Sequence, residues 1–421
     1  MLRKSLLRFS LLTLLAACSQ APTLEADAPL EPLTLGTTGF DALRGLAPYS
    51  SGVYAVGDTG GDLHGAPKGN GDVFIRKVDR EGAVVWGRQF GTPEYDTAEG
   101  VASDALGNAY VAGMTYGSLA GSRGASDLFV RKYSPSGAVV WTRQFGTGDY
   151  DYVGDIAVYG SSVYVVGFTQ GNLAGSQGGW DAFIRKYTDS GSVVWTKQFG
   201  TGAEDFAKDV AVDGLGNVYV VGYTYGTLAG THGGDADMFI RKYSASGAVQ
   251  WTRQRHYNDE DTGVAVATSG SHVYLVGGYN KSSDPFNPDP NVRVVKFSAS
   301  GSTVWDKGYG PPGVDYVYDV SADPKGNFYL AGETYTSFSG VNKGGADGYV
   351  RQYTPAGSVV WSRQLGTPEY DATYAVLART SSELYLAGTT YGTLGSSYSG
   401  NGDAYLRRTN AGTGSTVWTD Q

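Results

Sequence analysis

Along most of this chain, short runs of apolar and β-branched residues alternate with clusters of glycine, asparagine, serine and proline. One stretch shows the pattern in full. Asp96-Thr-Ala-Glu-Gly-Val-Ala-Ser103 is followed by the turn Asp104-Ala-Leu-Gly-Asn108 and by Ala109-Tyr-Val-Ala-Gly113. After a long loop come Asp127-Leu-Phe-Val-Arg-Lys-Tyr133, the turn Ser134-Pro-Ser-Gly137 and Ala138-Val-Val-Trp-Thr-Arg-Gln-Phe145. Four β-rich runs bounded by turn residues predict four antiparallel strands. Beyond residue 18, no sustained run of apolar positions has helical spacing.

The same unit recurs seven times. Trp86, Trp141, Trp195, Trp251, Trp305, Trp361 and Trp418 mark it at intervals of 54 to 57 residues. Its second run returns as Val53-Tyr-Ala-Val-Gly57, Val163-Tyr-Val-Val-Gly167, Val218-Tyr-Val-Val-Gly222, Val273-Tyr-Leu-Val-Gly277, Phe328-Tyr-Leu-Ala-Gly332 and Leu384-Tyr-Leu-Ala-Gly388. Units of this period built from short strands indicate a solenoid, a propeller or an array. A linear solenoid would need shorter repeats and atypical capping units. The fold class expected is therefore all-β: a seven-bladed propeller over residues 33–421, with four antiparallel strands per blade. In that frame the last unit stops at Trp418-Thr-Asp-Gln421, and Leu35-Gly36-Thr37 starts where its motif would continue. The two ends should meet between the first and last blades.

The runs Asp181-Ala-Phe-Ile-Arg-Lys-Tyr187, Val193-Val-Trp-Thr-Lys-Gln-Phe-Gly-Thr201 and Gly216-Asn-Val-Tyr-Val-Val-Gly222 resemble the bacterial seven-bladed β-propeller repeat family called SBBP. The resemblance extends over residues 33–421 and implies a propeller of an exported or surface protein, with no common activity attached. The Trp-Asp dipeptide that ends WD40 units is missing from the repeat ends, so that family's partners are not implied.

Composition supports the β reading and adds an address. Glycine reaches 63 residues and tyrosine 31 of 421, against 3 methionines, which suits turns and strands rather than helices. Arg3, Lys4 and Arg8 precede the apolar Leu11-Leu12-Thr13-Leu14-Leu15, a targeting pattern too short to span a bilayer. Leu15-Ala16-Ala17-Cys18 is similar to the lipobox of bacterial lipoproteins, which implies cleavage before Cys18 and its acylation. Residues 1–18 are thus expected to be a signal peptide, and 19–32 a disordered tether. Ser19 follows the cysteine, where inner-membrane retention would call for Asp, so the outer membrane or cell surface is the expected destination. Cys18 is the sole cysteine, so no internal disulfide can form. Loss of the signal takes the formal net charge from −9 to −12, which speaks against nucleic acid and anionic lipid surfaces. Contact with membrane is expected through the anchor only, and the chain should be a monomer.

Binding residues concentrate on loops held by a rigid scaffold. The face carrying the tight turns, such as Leu215-Gly-Asn217 and Ser244-Ala-Ser-Gly247, offers little room. The face carrying the long loops and interblade links is the expected working face. Its candidates are Tyr95, Tyr150 and Tyr370 in the links, and Tyr116, Tyr225, Tyr335 and Tyr391 in the long loops. Trp180 joins them, standing where other units have small residues or proline. Each aromatic suits either a contact surface or local packing. The fifth unit departs most, with Arg255-His-Tyr-Asn-Asp-Glu-Asp261 as its link and three prolines around Phe286 in its long loop. His232 and His256 fall near each other, with Asp235 and Glu260 at hand, but no tight ligand spacing marks a metal site. No metal and no cofactor is expected.

Asp41, Asp96, Asp151, Asp205, Asp261, Asp315 and Asp371 recur at one place in every unit. They suit either a cation at the central mouth or loop bonds to backbone N–H and pairing with the repeated Arg76, Arg131, Arg185, Arg241, Arg351 and Arg407. No nucleophile elbow or phosphate loop is present, and His64 and His272 stand in distant units. The functional expectation is a non-enzymatic scaffold binding an envelope protein or surface glycan. The alternative is a polysaccharide hydrolase or lyase using carboxylates in the central funnel.

Overall fold

The computed structural model describes residues 35–122, 124–257, 260–280, 290–309, 315–337, 339–395 and 397–421. The expected signal with Cys18, the tether and the loop around Phe286 lie outside these residues. The chain is a seven-bladed β-propeller: 28 strands form seven four-stranded antiparallel sheets, each from one continuous stretch with its strands in chain order. The innermost strands are Asp41–Tyr49, Asp96–Ser103, Asp151–Tyr159, Asp205–Val212, Asp261–Ser269, Asp315–Ala322 and Asp371–Ala378. No helix of the described residues is long and apolar enough to cross a membrane.

Burial follows distance from the axis. The second strand of the first blade, Gly52–Thr59, is buried at every residue between its neighbours. The outer strand Val139–Phe145 buries Trp141 and Phe145 but leaves Val139 and Val140 53% exposed, because blades fan apart toward the rim. Every innermost strand carries a β-bulge near its third residue, as between Ala207 and Asp209. The bulge presses the Phe206 carbonyl against the second strand, so a Cβ on Gly222 would stand 1.8 Å from that oxygen. Close backbone approach of this kind explains the glycine that ends each second run. The bulge also turns one side chain per blade, Lys208 in this case, toward the axis.

Neighbouring blades are pinned by the repeated tryptophan. The indole N–H groups of Trp86, Trp141, Trp251, Trp305 and Trp361 donate to turn carbonyls of Pro135, Asp189, Ala299, Pro355 and Ala411 in the following blade. Trp418 donates to Arg80 O at 2.9 Å and so ties the last blade to the first.

The ends of the propeller meet as the repeat frame requires. Gln421 Oε1 accepts from Leu394 N and Gly395 N at 2.7 and 2.8 Å, the bonds that Gln144 makes to Leu119 and Ala120 within the second blade. Leu35 then supplies the apolar residue that the last outer strand lacks, packing with Ala404 and Leu406. At the tight-turn face the seam is ionic. Glu383, 3% exposed, takes Arg379 and Arg408 from its own blade and Arg80 from the first, at 2.5, 2.9 and 2.6 Å.

Candidate functional site

The bulged residues of the innermost strands line a central cavity of about 380 Å³. They are Arg44, Glu99, Gly154, Lys208, Val264, Tyr318 and Tyr374, one per blade. This position varies freely from blade to blade, three residues after an aspartate that repeats in all seven. Aligning the units on their leading aspartate would have exposed it, and sequence reasoning passed it over. Arg44 pairs with Asp58, and Thr97 donates to the same carboxylate at 3.2 Å. Burial works against the Arg44 charge, but Asp58 and Glu99 more than offset it and its pKa rises. Burial raises the Glu99 pKa and lowers that of Lys208, with each group holding the other partly in its charged form.

Deeper in the channel stand three acids on adjacent positions, Asp155, Asp209 and Asp319. Their carboxyls keep some surface open to the channel but are enclosed by protein, and burial raises the pKa of all three, that of Asp319 to about 7. Asp209 accepts from Val210 N and from Val266 N of the next blade, at 2.5 and 2.6 Å. Asp319 repeats this with Val320 N and Val376 N at 2.6 and 2.7 Å. Asp209 stands beside Asp155, and its like charge adds to burial in raising the Asp155 pKa. Asp209 and Asp319, each holding a backbone N–H of the following blade, bind blades together.

Above the channel, at the start of the innermost strands, lies a collar of aromatic side chains. Tyr95, Tyr116, Tyr150, Tyr225, Tyr316, Tyr335 and Tyr391 are each 36–46% exposed. Link and loop rings meet in pairs: Tyr95 with Tyr116 at 6.5 Å, Tyr316 with Tyr335 at 6.5 Å and Tyr370 with Tyr391 at 5.8 Å. Tyr370 donates its hydroxyl to the buried Glu333, which also receives Tyr335. Burial lifts the Glu333 pKa, and these phenol bonds partly counter it. Collar and channel join at Tyr374, which bonds to Tyr370 and packs on Tyr318 at 5.2 Å.

Each expected residue can now be placed. Tyr95, Tyr116, Tyr150, Tyr225, Tyr335, Tyr370 and Tyr391 all reach the collar. Trp180 is half-buried against Tyr152, Phe168 and Phe206 at 5.5, 5.4 and 6.2 Å, so it serves as a wedge between blades with only an edge exposed. Phe286 lies outside the described residues. His232 and His256 do come together, but on Asp237 and Asp261 rather than on Asp235 and Glu260, which stand instead toward Tyr225. The repeated aspartates do not ring an open mouth. Asp41, Asp96, Asp151, Asp205, Asp261 and Asp371 are fully buried and each accepts, at 2.6 Å, the N–H four residues before it. Three of the repeated arginines, Arg131, Arg185 and Arg241, lie over Phe90, Phe145 and Phe199 of the preceding blade at 3.8–4.2 Å.

Comparison with known proteins agrees with this architecture. The family model of the SBBP β-propeller repeat matches residues 85–120 and 194–228. Regulatory protein FlaEY of Caulobacter vibrioides is 29% identical over 200 residues, which are 42% of this chain and 20% of that protein. The chain thus spans only a fifth of that relative's length. Among solved structures, puromycin hydrolase superposes with a TM-score of 0.53 at 10% identity, over 92% of this chain and 55% of that one. The β-propeller domain of the Trilobed protease from Pyrococcus furiosus gives 0.49 at 9% identity, over 88% and 93%. At such identities the likeness concerns fold alone.

Proposed function

Because the chain carries SBBP β-propeller repeats, a rigid scaffold with no activity of its own in common, we propose that it is a binding module holding a protein partner on its long-loop face. The observation that carries this reading is the collar. Seven part-exposed tyrosines, most of them ring-paired, surround one end of the axis on a scaffold that fixes their positions. Tyrosines of this kind offer large contact area at small entropic cost and dominate interface energetics. The mixed charges of Arg44, Glu99 and Lys208 in the channel below the collar add register to that contact. The module is held at the cell envelope by acylated Cys18 and the tether of residues 19–32. Its relative, a regulatory protein, supports a role in control rather than in chemistry.

The test is capture from envelope extract with residues 31–421 immobilised, beside Tyr150→Ala, Tyr335→Ala and Leu215→Ala. The tyrosines stand on the collar at 43% and 46% exposure, and Leu215 on the opposite face at 85%. Each tyrosine variant should weaken the captured partner by about 30-fold, the ~2 kcal/mol of an interface anchor. Leu215→Ala should leave it unchanged. Equal retention by all four proteins would remove the collar from consideration.

A further inference from the structure

At six of the seven blade junctions two acids face each other: the aspartate that opens a third strand and the aspartate that opens the next innermost strand, the exception being Asn291 in the fifth blade. A link glycine separates them. A Cβ on Gly146 would lie 2.3 Å from Asp127 Oδ1 and 2.8 Å from Asp151 Oδ2, and one on Gly200 would lie 2.4 and 2.7 Å from Asp181 and Asp205. The corresponding link residues are Gly36, Gly91, Gly310 and Gly366 elsewhere, but His256 between the fourth and fifth blades. There the acids are Asp237 and Asp261, both fully buried.

We infer that this junction binds one divalent metal ion of the zinc class, with His256, Asp237 and Asp261 as ligands. His256 Nδ1 stands 3.2 Å from Asp237 Oδ1 and 3.6 Å from Asp261 Oδ2. One donor atom from each of the three residues lies within 4.8 Å of the others. Bonds of ~2.0–2.1 Å in a tetrahedron separate ligand atoms by about 3.3 Å, so an ion fits with small side-chain adjustments. An imidazole beside two carboxylates favours zinc over calcium, which takes oxygen shells of higher number.

The surroundings hold the ligands in place. His232 brings a second imidazole from the long loop, and its Nδ1 lies 3.2 Å from the second oxygen of Asp237. Gln254 Nε2 donates to that oxygen at 2.6 Å, and Tyr257 N to Asp261 Oδ2 at 2.6 Å. Two of the chain's four histidines therefore converge on one buried carboxylate, from a long loop and from a link. His256 is 40% exposed, which leaves a route for the ion and a fourth position for water. A cation there neutralises two carboxylates that burial would otherwise set against each other.

The metal-free full chain is titrated with Zn²⁺ by calorimetry, beside His256→Gly and His232→Ala. The first variant restores the residue of the other junctions and so preserves the fold. The chain should bind one Zn²⁺ with submicromolar affinity. His256→Gly should abolish that binding, and His232→Ala should weaken it by roughly 10-fold or more, as loss of an outer partner does. Ca²⁺ should not compete. Absence of saturable Zn²⁺ binding would overturn the site. So would binding that survives His256→Gly, or equal displacement by Ca²⁺.

Discussion

Replacing Glu383 with alanine should destabilise the propeller by about 3–5 kcal/mol, a loss large enough to open the ring at its seam. Six blade junctions are crossed by the polypeptide, but the junction between the last and first blades is held by non-covalent contacts. On one face Leu35 and Gln421 complete the last blade, and Asp41 N donates to Gly402 O at 2.9 Å. On the other face Glu383 is the centre. It binds Arg80 of the first blade, while Arg379 donates to Ser50 O and Arg408 to Arg80 O at 2.9 Å. Burial opposes ionisation of Glu383, yet Arg379 and Arg80 outweigh it and depress its pKa. Alanine would leave three guanidinium groups around an empty buried space, two of them shared across the seam.

The same substitution carries a signature in pH. A depressed carboxylate contributes stability above its unfolded pKa and loses it as pH falls through the folded value. The cost of Glu383→Ala, measured by urea unfolding, should therefore shrink in acid below pH 4 or so. A comparable loss at neutral and acid pH would assign the effect to packing alone. Glu383→Gln keeps the volume but not the charge, so a large cost there would confirm that the charge closes the ring.

How much of this was legible in sequence follows from what repeats. The tryptophan interval, the terminal glycine of each second run and the broken frame at Leu35 and Gln421 all report architecture, because every blade solves one packing problem in the same way. The candidate tyrosines were legible too, since links and long loops share one face of any such ring. The channel was not. Arg44, Glu99 and Lys208 occupy a bulge that no period-2 pattern predicts, and their function, if read, lies in the variation between units. Of the two structural roles open to the repeated aspartates, bonds to backbone N–H in their own loop are the ones found. Spacing placed arginines within reach, but the bulge and the link geometry gave the aspartates to backbone N–H groups and three of the arginines to aromatic rings of the preceding blade. The convergence of His232 and His256 on Asp237 depends on two residues in different segments, and their meeting is a property of the ring rather than of either segment.

The second large effect concerns the three channel acids and has the opposite sign. Asp155, Asp209 and Asp319 all have raised pKa values, with burial as the main cause. A carboxyl whose folded pKa lies above its unfolded value near 3.9 keeps its proton in the folded chain while the unfolded chain releases it. Stability is then greatest below pH 4 for these groups and falls as pH rises toward the folded value. For Asp319, held at about 7, the fall amounts to about 4 kcal/mol between pH 4 and 7, at ~1.4 kcal/mol per pH unit. The unfolding free energy should accordingly decline from pH 5 to pH 8. Asp155→Asn isolates one contribution. Its Oδ1 can still accept from Ile156 N, and its amide can donate to Asp209. Between pH 5 and 7 the variant should lose less stability than the parent, since position 155 no longer binds a proton. Parallel pH profiles would mean that Asp155 holds no proton, and that these blades are joined by some other balance of charge.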